Sequence, residues 1–290
     1  MRAAAPTIRA RQRGMALLLV LWAGTLLAIL LGGYAVLART QGLQARYRVA
    51  QTQAHYAAQA GLMRAIQALY DAPTRRWVAD GRSYRVAFGQ AQVEVSAVGE
   101  NGKVDLNTAM PQVLQGLLRA AGLSPDAAQQ LATHIVAWRQ PPAASRVAGI
   151  APLDYVAAGR DYRPRHGPFA SIEELQLVWG MTPKLYARLA SQVTIWSGRP
   201  VPNPNTAPPL ALQAIPGLSA AQVQALLAAR ARQSPDPTQN IDNGSTQSIK
   251  SVATLADGTK AQLRATIRWR ASQTGAPPYA VLRWREGVDE

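Results

Sequence analysis

From Met15 to Ala38 the chain runs for 24 residues without a charge. Beyond Arg39 the texture changes. Leu43, Tyr47, Ala50, Ala54, Ala58, Leu62, Ile66 and Leu69 recur every three or four positions, with Gln44, Arg48, Gln51, Gln59 and Gln67 between them. That spacing is one apolar face of a helix. No proline falls between Met15 and Pro73, so the two patterns predict one helix over about 15–70, on the order of 80 Å long at about 1.5 Å per residue. Glycines at 24, 32, 33, 42 and 61 predict bends or local melting along it. The uncharged run exceeds the roughly 20 helical residues that cross a bilayer core of about 30 Å. Residues 15–38 are therefore read as a membrane span, and residues 39–70 as its continuation, packed by one face on a soluble body.

Alternation with a period of two appears in two places. Ser83 to Val98 alternates around Gly89-Gln90, and Val252 to Trp269 around Asp257-Gly258. Both are read as hairpins, with a further short strand over Tyr279 to Trp284. The section between them, 104–232, has a helical texture and repeats itself. Asn107-Thr108-Ala109, Pro111 and Leu114-Gln115 return as Asn205-Thr206-Ala207, Pro209 and Leu212-Gln213 at an offset of 98. Gly122-Leu123-Ser124, Gly180-Met181-Thr182 and Gly217-Leu218-Ser219 mark three similar turns, each with a leucine nine positions after the glycine, at Leu131, Leu189 and Leu226. Three related helical hairpins are expected. The hydroxyl of each turn can cap the following helix, with Pro125 and Pro183 at its first position. Ser219 with Gln222, and Ser171 with Glu174, have capping-box spacing.

Composition adds one asymmetry. The net charge is +15, but eight arginines and no acid precede Asp71, so the first 70 residues carry +8 and the remaining 220 only +7. The basic character belongs to the amino-terminal segment, which weakens nucleic acid as the reason for it. There is no cysteine, which excludes disulfides, thiolate metal sites and cysteine nucleophiles.

The stretch RQRGMALLLVLW, Arg11 to Trp22, joins a short basic leader ending in Gly14 to an apolar residue and a long helix. It resembles type IV pilins and the pseudopilins of type II secretion. That resemblance implies that a prepilin peptidase cuts after Gly14 and that the new terminus, Met15, is methylated. Pilins and most pseudopilins carry glutamate at the fifth mature position, where it is thought to neutralise a neighbour's amino terminus; here that position is Leu19. Lack of that carboxylate characterises the K-type minor pseudopilin. FASIEELQLVWGMTPKLYARL, followed by PNPNTAPPLALQAIPGLS, is similar to that family's helical insertion.

By resemblance, then, the fold is α+β: a long amino-terminal helix, a small antiparallel pilin-type sheet and an inserted all-α domain. The expected divisions are a leader over 1–14, a span over 15–38, a periplasmic helix over 39–70, sheet over 71–103 and 249–290, helical insertion over 104–232, and a mobile loop over 233–248. The implied function is a tip subunit of the pseudopilus that primes filament assembly for protein export. The implied partners are the I-type and J-type minor pseudopilins, other pseudopilins, the prepilin peptidase and the inner-membrane secretion platform. The implied location is the bacterial inner membrane, single-pass, with the bulk in the periplasm.

Catalytic signals are lacking. His55, His134 and His166 lie on separate segments without ligand spacing, and no GxSxG, HExxH, P-loop or dinucleotide pattern occurs. No enzyme activity and no cofactor are expected. Asp236, Asp242 and Asn243 can donate oxygens to calcium, but their spacing matches no EF-hand loop, so a solvated loop is the reading. Two alternatives remain. The three turns resemble helix-hairpin-helix DNA binders with Ser124, Thr182 and Ser219 in place of the second glycine, which would make the chain a membrane-anchored DNA-binding protein. Alternatively Val36-Leu37-Ala38 is a signal cleavage site, which would make it an exported enzyme.

Overall fold

The structure, a computed structural model, describes residues 12–72, 75–143, 155, 159–232, 244–270 and 277–287. One helix, α1 (Gln12–Tyr70, 59 residues), opens the chain. It passes all five expected weak points unbroken.

The sheet has five strands: β1 (Asp80–Phe88), β2 (Ala91–Gly99), β5 (Thr246–Thr254), β6 (Lys260–Trp269) and β7 (Tyr279–Glu286). They lie in the order β1-β2-β5-β6-β7, every pair antiparallel. Alternation sends Val93 and Val95 of β2, Ile249 and Ala253 of β5, and Leu263 and Ile267 of β6 into one buried layer with Ala58, Leu62 and Leu69 of α1. Both expected hairpins form. In the second, the Asp257 carboxylate accepts the Thr259 amide at 2.9 Å while Gly258 takes φ +85°, a value only glycine reaches cheaply.

Small residues let α1 lie close on the sheet. A Cβ added at Gly61 would stand 2.5 Å from Val93 Cγ1 and 2.7 Å from Ser251 Oγ. The expected apolar face is only partly used. Ala54, Ala58, Leu62, Ile66 and Leu69 are buried, whereas Leu43 and Tyr47 are exposed, because no described part of the chain lies beside the helix there. The expected loop over 233–248 also ends too late: β5 begins at Thr246, and Thr246, Gln247 and Ser248 pair with Arg268, Ile267 and Thr266. Residues 233–243, with Asp236, Asp242 and Asn243, lie outside the described residues.

The helical section is inserted between β2 and β5. It holds β3 (Val104–Asp105), α2 (Pro111–Ala120), α3 (Pro125–Arg139), a 3-10 helix (Ile172–Leu177), α4 (Pro183–Leu189), β4 (Val193–Thr194), α5 (Pro209–Gln213) and α6 (Ala220–Arg232). Its own core gathers Leu114, Leu117, Leu131, Ile135, Leu175 and Leu212. The three expected hairpins are present, and their glycines, Gly122, Gly180 and Gly217, take φ +98°, +88° and +85°. The second differs from expectation: its first arm is a 3-10 helix, and Ser171 makes no capping bond. Glu174 instead accepts from Arg165 at 2.9 Å and from the Ala170 amide at 3.3 Å, so its carboxylate is occupied away from the expected cap.

The repeat at offset 98 is structural. Asp105 accepts the Asn107 amide at 2.8 Å, and Asn203 accepts the Asn205 amide at 2.9 Å, so each repeat enters its first helix through the same side-chain turn. Arg139 then donates to the carbonyl of Ala109, and Arg230 to that of Ala207. Burial pushes both guanidinium groups below their ordinary pKa. Asp105 does more: its second oxygen accepts Ser197 Oγ at 3.1 Å and the Gly198 amide at 2.8 Å. Together with the parallel β3–β4 pair, it ties the entrance of the insertion to the end of its second hairpin.

Candidate functional site

The first part of α1 is the surface for which the chain has no internal use. From Met15 to Val49 every residue is exposed. The helix is long and apolar enough to cross a membrane, with mean hydropathy 2.4 over its best window and none of that window buried. Its polar side-chain atoms are compatible with lipid: Thr25 Oγ1 donates to the Trp22 carbonyl at 2.8 Å, and Thr40 Oγ1 to that of Leu37 at 2.8 Å. An intrahelical bond spares each hydroxyl an unsatisfied donor in hydrocarbon.

Gly14 lies within α1. Met15 and Leu19 follow on the same helix, 74% and 71% exposed. No acid occurs anywhere between Met15 and Tyr70.

The histidines stay apart. His55 Nδ1 is 3.9 Å from Glu286, His134 donates to the Trp179 carbonyl at 2.9 Å, and His166 to that of Gln140 at 3.2 Å. Among the described residues no three metal-ligating side chains converge. In the three hairpin turns the hydroxyls cap the helices that follow. Ser124 accepts from Ala127, Thr182 from Leu185, and Ser219 from Gln222, at 3.2 to 3.3 Å. Ser219 and Gln222 close the expected capping box, the Gln222 side chain returning to the Ser219 amide at 2.8 Å.

Sequence reasoning missed the joint between the insertion and the sheet. Glu173, on the 3-10 helix, receives Arg285 at 2.7 Å and Arg283 at 3.2 Å from the edge strand β7. Burial alone would raise its pKa. The backbone amide at Glu173, the Ser171 hydroxyl and the two arginines outweigh that and hold it at about 2. Arg268 crosses the same joint to the Trp196 carbonyl at 3.2 Å.

The chain thus joins an exposed apolar helix to a helix packed on an antiparallel sheet. Residues 92–198 match the family described as Type II secretion system (T2SS), protein K. The fold is similar to a chain in the crystal structure of the GspK-GspI-GspJ complex from the enterotoxigenic Escherichia coli Type 2 Secretion System, at TM-score 0.53 and 17% identity, over 87% of this chain and 99% of that one. Among curated proteins no relative matches. Residues 92–198 are thus similar to the type II secretion protein K family, and the fold of the chain is that of the solved structure.

Proposed function

We propose that this chain is a tip subunit of the type II secretion pseudopilus, where it primes assembly with I-type and J-type minor pseudopilins. The observation that carries this reading is a helix whose residues 15–49 are all exposed and which bears no acid from Met15 to Tyr70. Such a helix is stable in lipid before assembly and among other apolar helices after it. Lacking a carboxylate at Leu19, it has no side chain there to neutralise the amino terminus of a subunit stacked beyond it. It therefore ends a stack. The solved complex of GspK with GspI and GspJ supports the choice of partners.

In this reading the prepilin peptidase removes 1–14 after Gly14, Met15 becomes the methylated terminus, and 15–38 anchors the subunit in the inner membrane. The body stands in the periplasm, and the secretion platform with the other pseudopilins draws the helix out of lipid. The test is the amino terminus of the membrane-extracted protein made beside its peptidase. Mass spectrometry is expected to find methylated Met15, and Gly14→Leu to block the cut. A terminus at Arg39, or normal processing of Gly14→Leu, would overturn the leader assignment. Leu19→Glu is expected to leave insertion intact and to reduce filament initiation.

A further inference from the structure

The two repeats of the insertion are unequal copies. The first pairs α2, ten residues long, with α3, which buries Ala128, Leu131, Ala132, Ile135, Val136 and Trp138. In the second, α5 is only five residues long. Of the described side chains of α6, Val223 alone is buried, with Leu226 and Leu227 half-buried. The entrance to the first repeat is held by the β3–β4 pair, whereas no strand forms at the matching Pro202 and Asn203 of the second.

The arginine of each repeat differs in the same sense. Arg139 donates through both Nη atoms, to the carbonyls of Leu106 and Ala109 at 2.7 and 2.6 Å. Arg230 places Nη1 on the Ala207 carbonyl at 2.7 Å, but its Nε and Nη2 are shut off from solvent without a hydrogen-bond partner. At Arg139 the Asp105 charge opposes the effect of burial; at Arg230 burial acts alone, and the residue matching Asp105 is the neutral Asn203. Buried donors without acceptors favour any state in which water reaches them. The second helix of the second repeat thus combines little apolar burial with an uncompensated polar cost.

We infer that α6 is a releasable arm. It lifts off α5 as a unit, pivoting at the Gly217–Ser219 turn, while α2, α3 and the five-stranded sheet stay folded. Opening of this local kind belongs to the elements with the least buried apolar contact. The pivot is unhindered, since a Cβ at Gly217 would meet nothing within 4 Å. The capping box of Ser219 and Gln222 moves with the helix, so release breaks neither of its bonds. Once lifted, the arm presents Val223, Leu226 and Leu227, an i, i+3, i+4 set on one helical face, and frees the Arg230 fork to water. The inference concerns the insertion alone and does not rest on the tip assignment.

The chain has no cysteine, so a single introduced thiol reports its own exposure. Val223→Cys in α6 and Ala132→Cys in α3, both at buried positions, are compared in the full chain in neutral detergent, by labelling with a disulfide reagent across sub-denaturing urea. Val223→Cys is expected to react at least about tenfold faster and with a shallow urea dependence, because opening one helix exposes little surface. Ala132→Cys is expected to react slowly and with a steep dependence. Adding Asn203→Asp, which supplies the charge the first repeat has at Asp105, is expected to slow Val223→Cys several-fold and leave Ala132→Cys unchanged. If melting curves show that a thiol variant is not folded, amide hydrogen exchange of the unmodified chain and of Asn203→Asp compares the same two helices, with the same order expected. Equal rates with parallel urea slopes, equal exchange of α6 and α3, or an α6 unaffected by Asn203→Asp would overturn the inference.

Discussion

The two parts of α1 obey one helical period and have opposite surroundings. From Met15 to Gln53 the helix meets no described part of the chain closely enough to bury a residue, while from Ala54 its inner face is sealed against the sheet. Composition follows the difference. The packed part approaches through Ala54, Ala58, Gly61 and Ala65, with Leu62 and Leu69 as its large fully buried residues. The free part carries large side chains all round. An amphipathic stripe is thus a statement about what can be buried, and the available neighbour decides where burial happens. Leu62→Ala is expected to cost about 2–5 kcal/mol, the range for a buried leucine leaving a cavity, and Leu43→Ala under about 0.5 kcal/mol. Denaturant unfolding of the detergent-solubilised chain, followed by tryptophan fluorescence, measures both. Equal costs would break the comparison.

The glycines repeat the contrast on a smaller scale. A methyl at Gly61 has nowhere to go between Val93 and Ser251, whereas one at Gly42 meets nothing within 4 Å. Gly61→Val is expected to lower stability by about 1–3 kcal/mol through overpacking. Gly42→Ala is expected to leave the unfolding of the body unchanged while raising the helicity of the free part, since alanine exceeds glycine in helix propensity by up to about 1 kcal/mol. Circular dichroism beside the fluorescence transition separates the two effects.

What the sequence made legible were features whose cause is local. The uncharged run, the Asp257-Gly258 turn and the three Gly-x-Ser/Thr turns each encode their geometry within a few residues, and they predict the helix, a hairpin and three capped helix starts. The Asp257-Gly258 turn even contains the β5–β6 register, and so the facing of Lys250 and Arg264. The rest depends on segments brought together from far apart. Asp105 is an ordinary acid in sequence, yet its carboxylate joins residues 92 and 93 positions away. The facing of Ser96 and Lys250 needs the whole insertion to close first. The exposure of Leu43 and Tyr47 could not be read from a period that continues smoothly through them. Gly14, Met15 and Leu19 could be singled out in the sequence because the features that mark them are adjacent in the chain. The Glu173 joint was not, since its arginines arrive 110 and 112 residues later.

The smallest expected effect separates the α1 seam from that joint. The packed part of α1 holds no acid and its buried contact with the sheet is apolar, so carboxylate titration reaches it only at the rim, where Glu286 of β7 stands 3.9 Å from His55. Glu173 is different, because its pKa is held at about 2 in the folded protein against an ordinary value of 4.5. A carboxylate with a depressed folded pKa binds fewer protons folded than unfolded. Its contribution is therefore complete above about pH 5 and is lost as pH falls through 4.5 toward 2. The group is about a third exposed, so solvent and salt screen the ion pairs and keep the contribution modest. Glu173→Gln is expected to lower the melting temperature slightly at pH 7 and to converge with the unmodified chain near pH 2, the difference at pH 7 shrinking in high salt. A difference that persisted undiminished near pH 2 would show that Glu173 acts through packing and not through its charge, and the joint would then be of the same kind as the seam.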